Sequence, residues 1–339
     1  MTTATERTDR HRRRAARSHA TALLLAACAL LGSALPANAT HFRYGNLSWH
    51  PVSGRTVEFT LRDAFRRTNT PSFDPCVSPS NINTVVPCTG PGGLHGVGDV
   101  IREDIGGSQL QFGDGSHVPA GTTPLVYVVT SIDLTNQWSF VEALDPASLP
   151  AIDTTISHTY AAGPSSFTAK LDDCCRISAA VSPNGHINNP DKGYTLSTNV
   201  TFTGNSSPVS TQVPIVNCPY PAVCTFTIPA SDAEGDTLHW RLATSAEADS
   251  GANDGSQTFV QPGPPNAPNA ASVNPSTGLY TWNTTGATLA GPGLNTLYST
   301  QVIIEDLDAQ GNVKSRTPVD FLIQLVPFVN DPPSCSAPA

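Results

Sequence analysis

Three carboxylates fall within five positions of the segment Ser231-Asp232-Ala233-Glu234-Gly235-Asp236. Like charges this close repel, so the loop is either fully solvated or holds a cation that offsets them. Other chemistry is poorly provided for. The sequence has no GxSxG elbow, HExxH pair, P-loop or dinucleotide fingerprint. Asp172 and Asp173 are adjacent and would face opposite sides of a strand, which suits no acid/base pair. An enzyme is not expected. Trp49, Trp138 or Tyr44 could stack on sugar rings if exposed, giving a carbohydrate-binding alternative, but their alternation with apolar neighbours favours core packing.

Cysteine chemistry points to disulfides. Beyond residue 39 lie Cys76, Cys88, Cys174, Cys175, Cys218, Cys224 and Cys335, an odd set without recurring CxxC pairs or histidines at metal spacing. Cys76 with Cys88 and Cys218 with Cys224 are the local pairs. Cys174 and Cys175 cannot both enter one core from a regular strand, so one of them is expected to reach a distant cysteine such as Cys335. A vicinal bridge is the alternative.

The elements that would position these groups follow an address. Arg7, Arg10, Arg12, Arg13, Arg14 and Arg17 precede the apolar run 21–32, and Ala37-Asn38-Ala39 offers a cleavage site, so residues 1–39 read as a signal peptide. Cys28 offers lipid anchoring as an alternative, and the export route stays open between Sec and Tat. Without the leader, 12 basic residues face 25 acidic ones. That balance excludes nucleic acid as a partner. No second apolar run reaches the roughly 18 residues a membrane helix needs. A secreted protein with an extracellular protein or glycan as partner is expected.

Only 13% of residues are charged, Gly and Pro are abundant, and Thr, Val and Ser dominate. This opposes long amphipathic helices and predicts an all-β chain. Residues 40–208 and 209–333 read as two immunoglobulin-like antiparallel β-sandwich domains in tandem, with a short tail at 334–339. In the first, Val57, Phe59 and Leu61 alternate with polar neighbours, and the stretch 68–98 is a Cys-containing exposed insertion. In the second, strands lettered as in an immunoglobulin sandwich fall at 224–229 (B), 238–242 (C), near Tyr280 and Trp282 (E), 298–304 (F) and 319–326 (G). Phe226, Ile228, Leu238, Trp240, Leu242, Tyr298, Val302, Ile304, Val319, Phe321, Ile323 and Leu325 would fill their core.

Phe112-Gly113-Asp114-Gly115 with His158-Thr159-Tyr160 and Gly163 resembles the PKD domain of cell-surface proteins, which implies a structural role for His158. Asp232-Ala233-Glu234-Gly235-Asp236, Asn274 to Gly278 ahead of Tyr280-Thr281-Trp282, Glu305 to Asp308 with Gly311, and Asn330-Asp331-Pro332-Pro333 resemble a cadherin-like extracellular repeat. That resemblance implies calcium. In such a sandwich the B-to-C and F-to-G loops cluster at one end. Asp232, Glu234, Asp236, Asp306 and Asp308 are then the candidate ligands, at the end facing the first domain. Calcium takes about six to eight oxygens. The competing reading is that Asp-Gly sequences make good turns and the acids are solvated. The whole reads as a secreted, non-enzymatic adhesion or recognition protein with a calcium-stiffened junction, or a structural extracellular module without metal.

Overall fold

Alternation builds the first hairpin. Strand Thr56–Arg66 buries Val57, Phe59 and Leu61 almost completely, each such side chain stabilising by about 1.5–3 kcal/mol. It pairs antiparallel with Phe42–Ser53, from Phe42↔Phe65 to Ser53↔Thr56, and Gly54 in the turn has φ +57°. The computed structural model describes residues 41–69, 74–103, 109–121, 123–181, 183–252, 255–263 and 269–328. The leader, Cys28, Cys335 and the Asn330 to Pro333 punctuation lie outside them.

Phe42–Ser53 has a second neighbour, the long strand Val313–Pro327, through Gly45↔Asp320 and Asn46↔Val319. Around this triplet runs an eleven-stranded sheet. Its main order is Asn184–His186, Asn295–Leu307, Val313–Pro327, Phe42–Ser53, Thr56–Arg66, Trp138–Ala143, Val126–Asp133 and Val100–Arg102. Ile156–Thr159 joins Thr56–Arg66, Thr237–Leu242 joins Asn295–Leu307, and Ile215–Tyr220 runs parallel to Val313–Pro327. One sheet therefore carries strands from both sides of the boundary expected at 208/209. The described residues between 41 and 328 fall in one compact unit.

Two smaller sheets cover it. Tyr194–Thr201, Ser166–Asp173, Leu110–Gln111 and His117–Val118 form a four-stranded sheet; Val223–Thr227, Leu279–Asn283 and Ser272–Val273 form a three-stranded one. The first core joins Leu47, Trp49, Phe59 and Leu61 to Leu171 and Leu196. The second joins Ile228, Trp240, Val302 and Phe321 to Tyr44 and Ala64 of the first hairpin. Tyr44 and Leu47 thus leave opposite faces of one strand for different cores, as the period of two requires. This is why Phe42 to Trp49 are all buried.

The chain is mostly β and largely antiparallel. Its α-helix among the described residues is the four-residue Ser245–Ala248, closed by a capping box between Thr244 and Glu247. No helix of the described residues is long and apolar enough to cross a membrane.

Candidate functional site

The acidic loop shapes itself. Asp232 Oδ1 accepts the main-chain N–H of Glu234 at 3.1 Å and of Asp236 at 2.8 Å, and Gly235 supplies the required φ of +80°. One oxygen each of Asp232, Glu234 and Asp236 lies within 4.8 Å of the others. Asp306 arrives beside them through the register pair Leu238↔Asp306. It is fully buried; burial pushes its carboxyl up, Asn205 and Ser315 oppose this as donors, and neighbouring Asp232 adds to it.

Protein donors already answer most of this charge. Lys314 Nζ is paired with Asp236, and its ammonium also faces Asp306 and Asp232. Ser206 gives its N–H to Glu234 Oε2 at 3.1 Å and its hydroxyl at 2.7 Å, and Asn205 Nδ2 donates to Asp306 Oδ2 at 2.6 Å. Asp232 Oδ2 stays buried without a hydrogen-bond partner. Asp308 spends its carboxylate on its own turn, accepting from Gln310 N, Asn312 N and Asn312 Nδ2, and the Asn312 bonds hold it below the usual carboxylate range.

The GDG and HTY segments meet. His158 Nε2 is 2.9 Å from Asp114 Oδ2, its ring stacks on Phe112 at 3.9 Å, and the Tyr160 hydroxyl donates to Phe112 O at 3.0 Å. Burial raises Asp114, but bonds from Ser116 and then from His158 outweigh it and hold the carboxyl at about 2. These contacts join the strand Ile156–Thr159 to the turn after Leu110–Gln111.

Cys76 is bonded to Cys88 and Cys218 to Cys224, each with Cα atoms 5.3 Å apart. Cys174 and Cys175 are bonded to each other, which corrects the expectation of a distant partner. That expectation rested on strand alternation, and the strand ends at Asp173.

Sequence reasoning missed a buried polar network beside the first strand. Arg176 Nη1 and Nη2 donate to Asp320 Oδ1 and Oδ2, both at 2.6 Å. Asp63 is buried near Tyr127 and Asp320; burial, with Asp320 adding and Tyr127 opposing, pushes it up to about 8. All four tryptophans are buried, at 1–8% exposure, so none offers a sugar platform. A cleft of about 550 Å³ beside Trp282 and Tyr298 is walled partly by Asn188 and Gln261. Their amide N–H groups are bound to main-chain carbonyls.

Comparison with known proteins adds the family context. Integrin beta-like protein A of Dictyostelium discoideum is 29% identical over 315 residues, covering 88% of this chain and 12% of that protein. Integrin beta-like protein C of the same organism is 30% identical over 203 residues, covering 58% of this chain and 8% of that protein. The chain thus spans a small fraction of these relatives' length. Residues 43–203, in the half whose motifs resemble the PKD domain, match the family model described as integrin beta-like protein A-E, N-terminal.

Proposed function

We propose that this is an extracellular adhesion or recognition protein that performs no catalysis. The match of residues 43–203 to the N-terminal region of integrin beta-like proteins carries the reading; the disulfides are consistent with an extracellular location. The contact surface is the hairpin Val77–Ser78 and Asn81–Val85, closed by Cys76–Cys88. Asn81, Asn83 and Thr84 are exposed, and so is Val85. A loop held by a disulfide keeps its shape before contact, which lowers the ordering cost of binding. The partner class is a protein surface, since the buried tryptophans speak against a glycan. Beads carrying the full chain should retain cells, and a variant with residues 79–87 replaced by a Gly/Ser loop should retain fewer. Retention no greater than on albumin-coated beads would overturn the reading.

Calcium at the acidic loop is the finer part of this proposal. The three oxygens within 4.8 Å and the unpartnered Asp232 Oδ2 support it; the Lys314 pair with Asp236 competes with it. Binding in the range of about 0.1–1 mM, typical of extracellular modules, is expected. A melting temperature identical in millimolar calcium and in chelator would remove calcium from the proposal.

A further inference from the structure

A second polar cluster lies far from solvent, on neither the hairpin nor the acidic loop. His41, Asp74 and Glu103 come from three separate stretches and are all fully buried. One ligand-type atom of each lies within 4.8 Å of the others. Each is fixed by its main chain. His41 N donates to Cys175 O and His41 O accepts from Arg66 N, while Glu103 N donates to Leu125 O. His95 bridges from the Asp74 main-chain carbonyl, 2.8 Å from Nε2, to Ser139 Oγ, 2.9 Å from Nδ1. The His41 ring is stacked on Phe65 at 4.1 Å, which sets its plane.

His41 and Asp74 are close without being hydrogen-bonded. His41 Nδ1 is 3.1 Å from Asp74 Oδ2, yet neither ring nitrogen of His41 and neither carboxylate oxygen of Asp74 has a hydrogen-bond partner. Leaving such atoms unsatisfied in a dry interior is costly. An imidazolium between carboxylates would aim its N–H groups at the oxygens, and that aim is missing. Two ligands side by side on one ion, with bonds of about 2.0–2.2 Å, sit roughly 3 Å apart. The His41 to Asp74 separation has this value.

We propose that His41, Asp74 and Glu103 hold one divalent first-row transition-metal ion of the zinc or manganese type. The imidazole nitrogen disfavours calcium and the two carboxylates disfavour soft monovalent ions. With its three side chains shut from solvent, the site has no position open to a substrate and is structural. It ties the start of the first strand, the approach to the Cys76–Cys88 loop and the end of Val100–Arg102 to one point, and it does not depend on the adhesion reading.

The test uses the full chain, secreted from cells grown with added zinc chloride or manganese chloride and passed through gel filtration in chelator buffer. Elemental mass spectrometry should find about one ion per chain. His41→Ala and Asp74→Asn should lose it, whereas Asp232→Asn, in the acidic loop, should keep it. Because the two core variants can fail to fold, the unmutated chain produced in cobalt chloride gives a second readout, a visible absorption band of nitrogen- and oxygen-ligated cobalt. An unmutated chain that carries no ion and shows no cobalt band would overturn the proposal in favour of a buried ion pair. An ion lost with Asp232→Asn and kept in His41→Ala would overturn it as well.

Discussion

Replacing Asp320 with asparagine should show whether the shared sheet melts as one unit. Arg176 and Asp320 are 2% and 1% exposed and joined by two bonds of 2.6 Å. Arg176 Nη2 also donates to Ala248 O at 2.8 Å, and its guanidinium lies over the rings of Phe42 and Phe259 at 5.5 and 4.7 Å. Asp320 further accepts from Gln301 Nε2 at 3.1 Å and is the register partner of Gly45. Asparagine keeps the volume while leaving Arg176 an uncompensated buried charge. Breaking such a pair costs about 3–5 kcal/mol. At about 2–3 °C per kcal/mol for a unit of this size, melting should fall by about 6–15 °C. Calorimetry should show a single transition moving down. Arg176→Met with Asp320→Leu removes both charges and should recover most of the loss. A cost below about 1 kcal/mol, the range of ordinary substitutions, would refute the reasoning. So would two transitions of which only one moves.

The remaining predictions concern the turns and the charged clusters. Glu247 accepts from Arg241 Nη1 and Nη2 at 2.8 and 2.7 Å and from Thr244 N at 3.0 Å; burial raises its carboxyl, but these bonds outweigh it and hold it at about 2, below the ordinary 4.5. The stability this gives is present above 4.5 and lost as pH falls through about 2, so Glu247→Gln should flatten the acid side of a melting-versus-pH curve. Allowing for solvent screening, its cost at neutral pH should be about 1–2 kcal/mol. Gly113→Ala should cost about 1–3 kcal/mol in denaturant titration, because φ is +85° and a Cβ would meet Thr168 O at 2.3 Å. Gly115→Ala, with φ +92° and nothing within 4 Å, should cost less. Lys314→Gln removes the ammonium from Asp236 and should tighten calcium binding by about 2–5-fold in calorimetric titration; unchanged binding would count against a cation held by that carboxylate.

Strands with one uniformly apolar face were legible, although the other face of Asn295–Leu307 and Val313–Pro327 is buried as well. Val319, Phe321, Ile323 and Leu325 alternate along Val313–Pro327 and lie in the second core, as do Val302 and Ile304 from the strand before it. The first strand carries Arg43, Asn46 and Ser48 among its apolar residues, yet it is buried on both faces. Asn46 is met from far along the chain. Asn46 Nδ2 donates to Pro318 O, and local periodicity cannot reveal a partner 272 residues away. Asn184–His186 and Ile215–Tyr220 join the large sheet as parallel strands, and neither carries a two-residue alternation to announce it. At the acidic loop the carboxylates stood out, whereas Lys314, Asn205 and Ser206 are ordinary surface residue types that only the fold brings to them. The bond between Cys174 and Cys175 was named as the alternative and ranked below a distant partner by assuming that their strand continued, whereas it ends at Asp173.

The placement of the first strand also governs the order in which the chain can be finished. One edge of Phe42–Ser53 finds its hairpin neighbour at once, while the other waits until Val313–Pro327 has been synthesised. Contacts of such long range make folding slow, and a bare strand edge is a template for pairing with the wrong chain. Asn46 lies along this strand, and a stranger docking there would have to desolvate its amide without Pro318 O, the acceptor that the finished fold provides. A polar group on a bare edge disfavours such pairing, and the Asn46 amide is satisfied only when the last strand arrives.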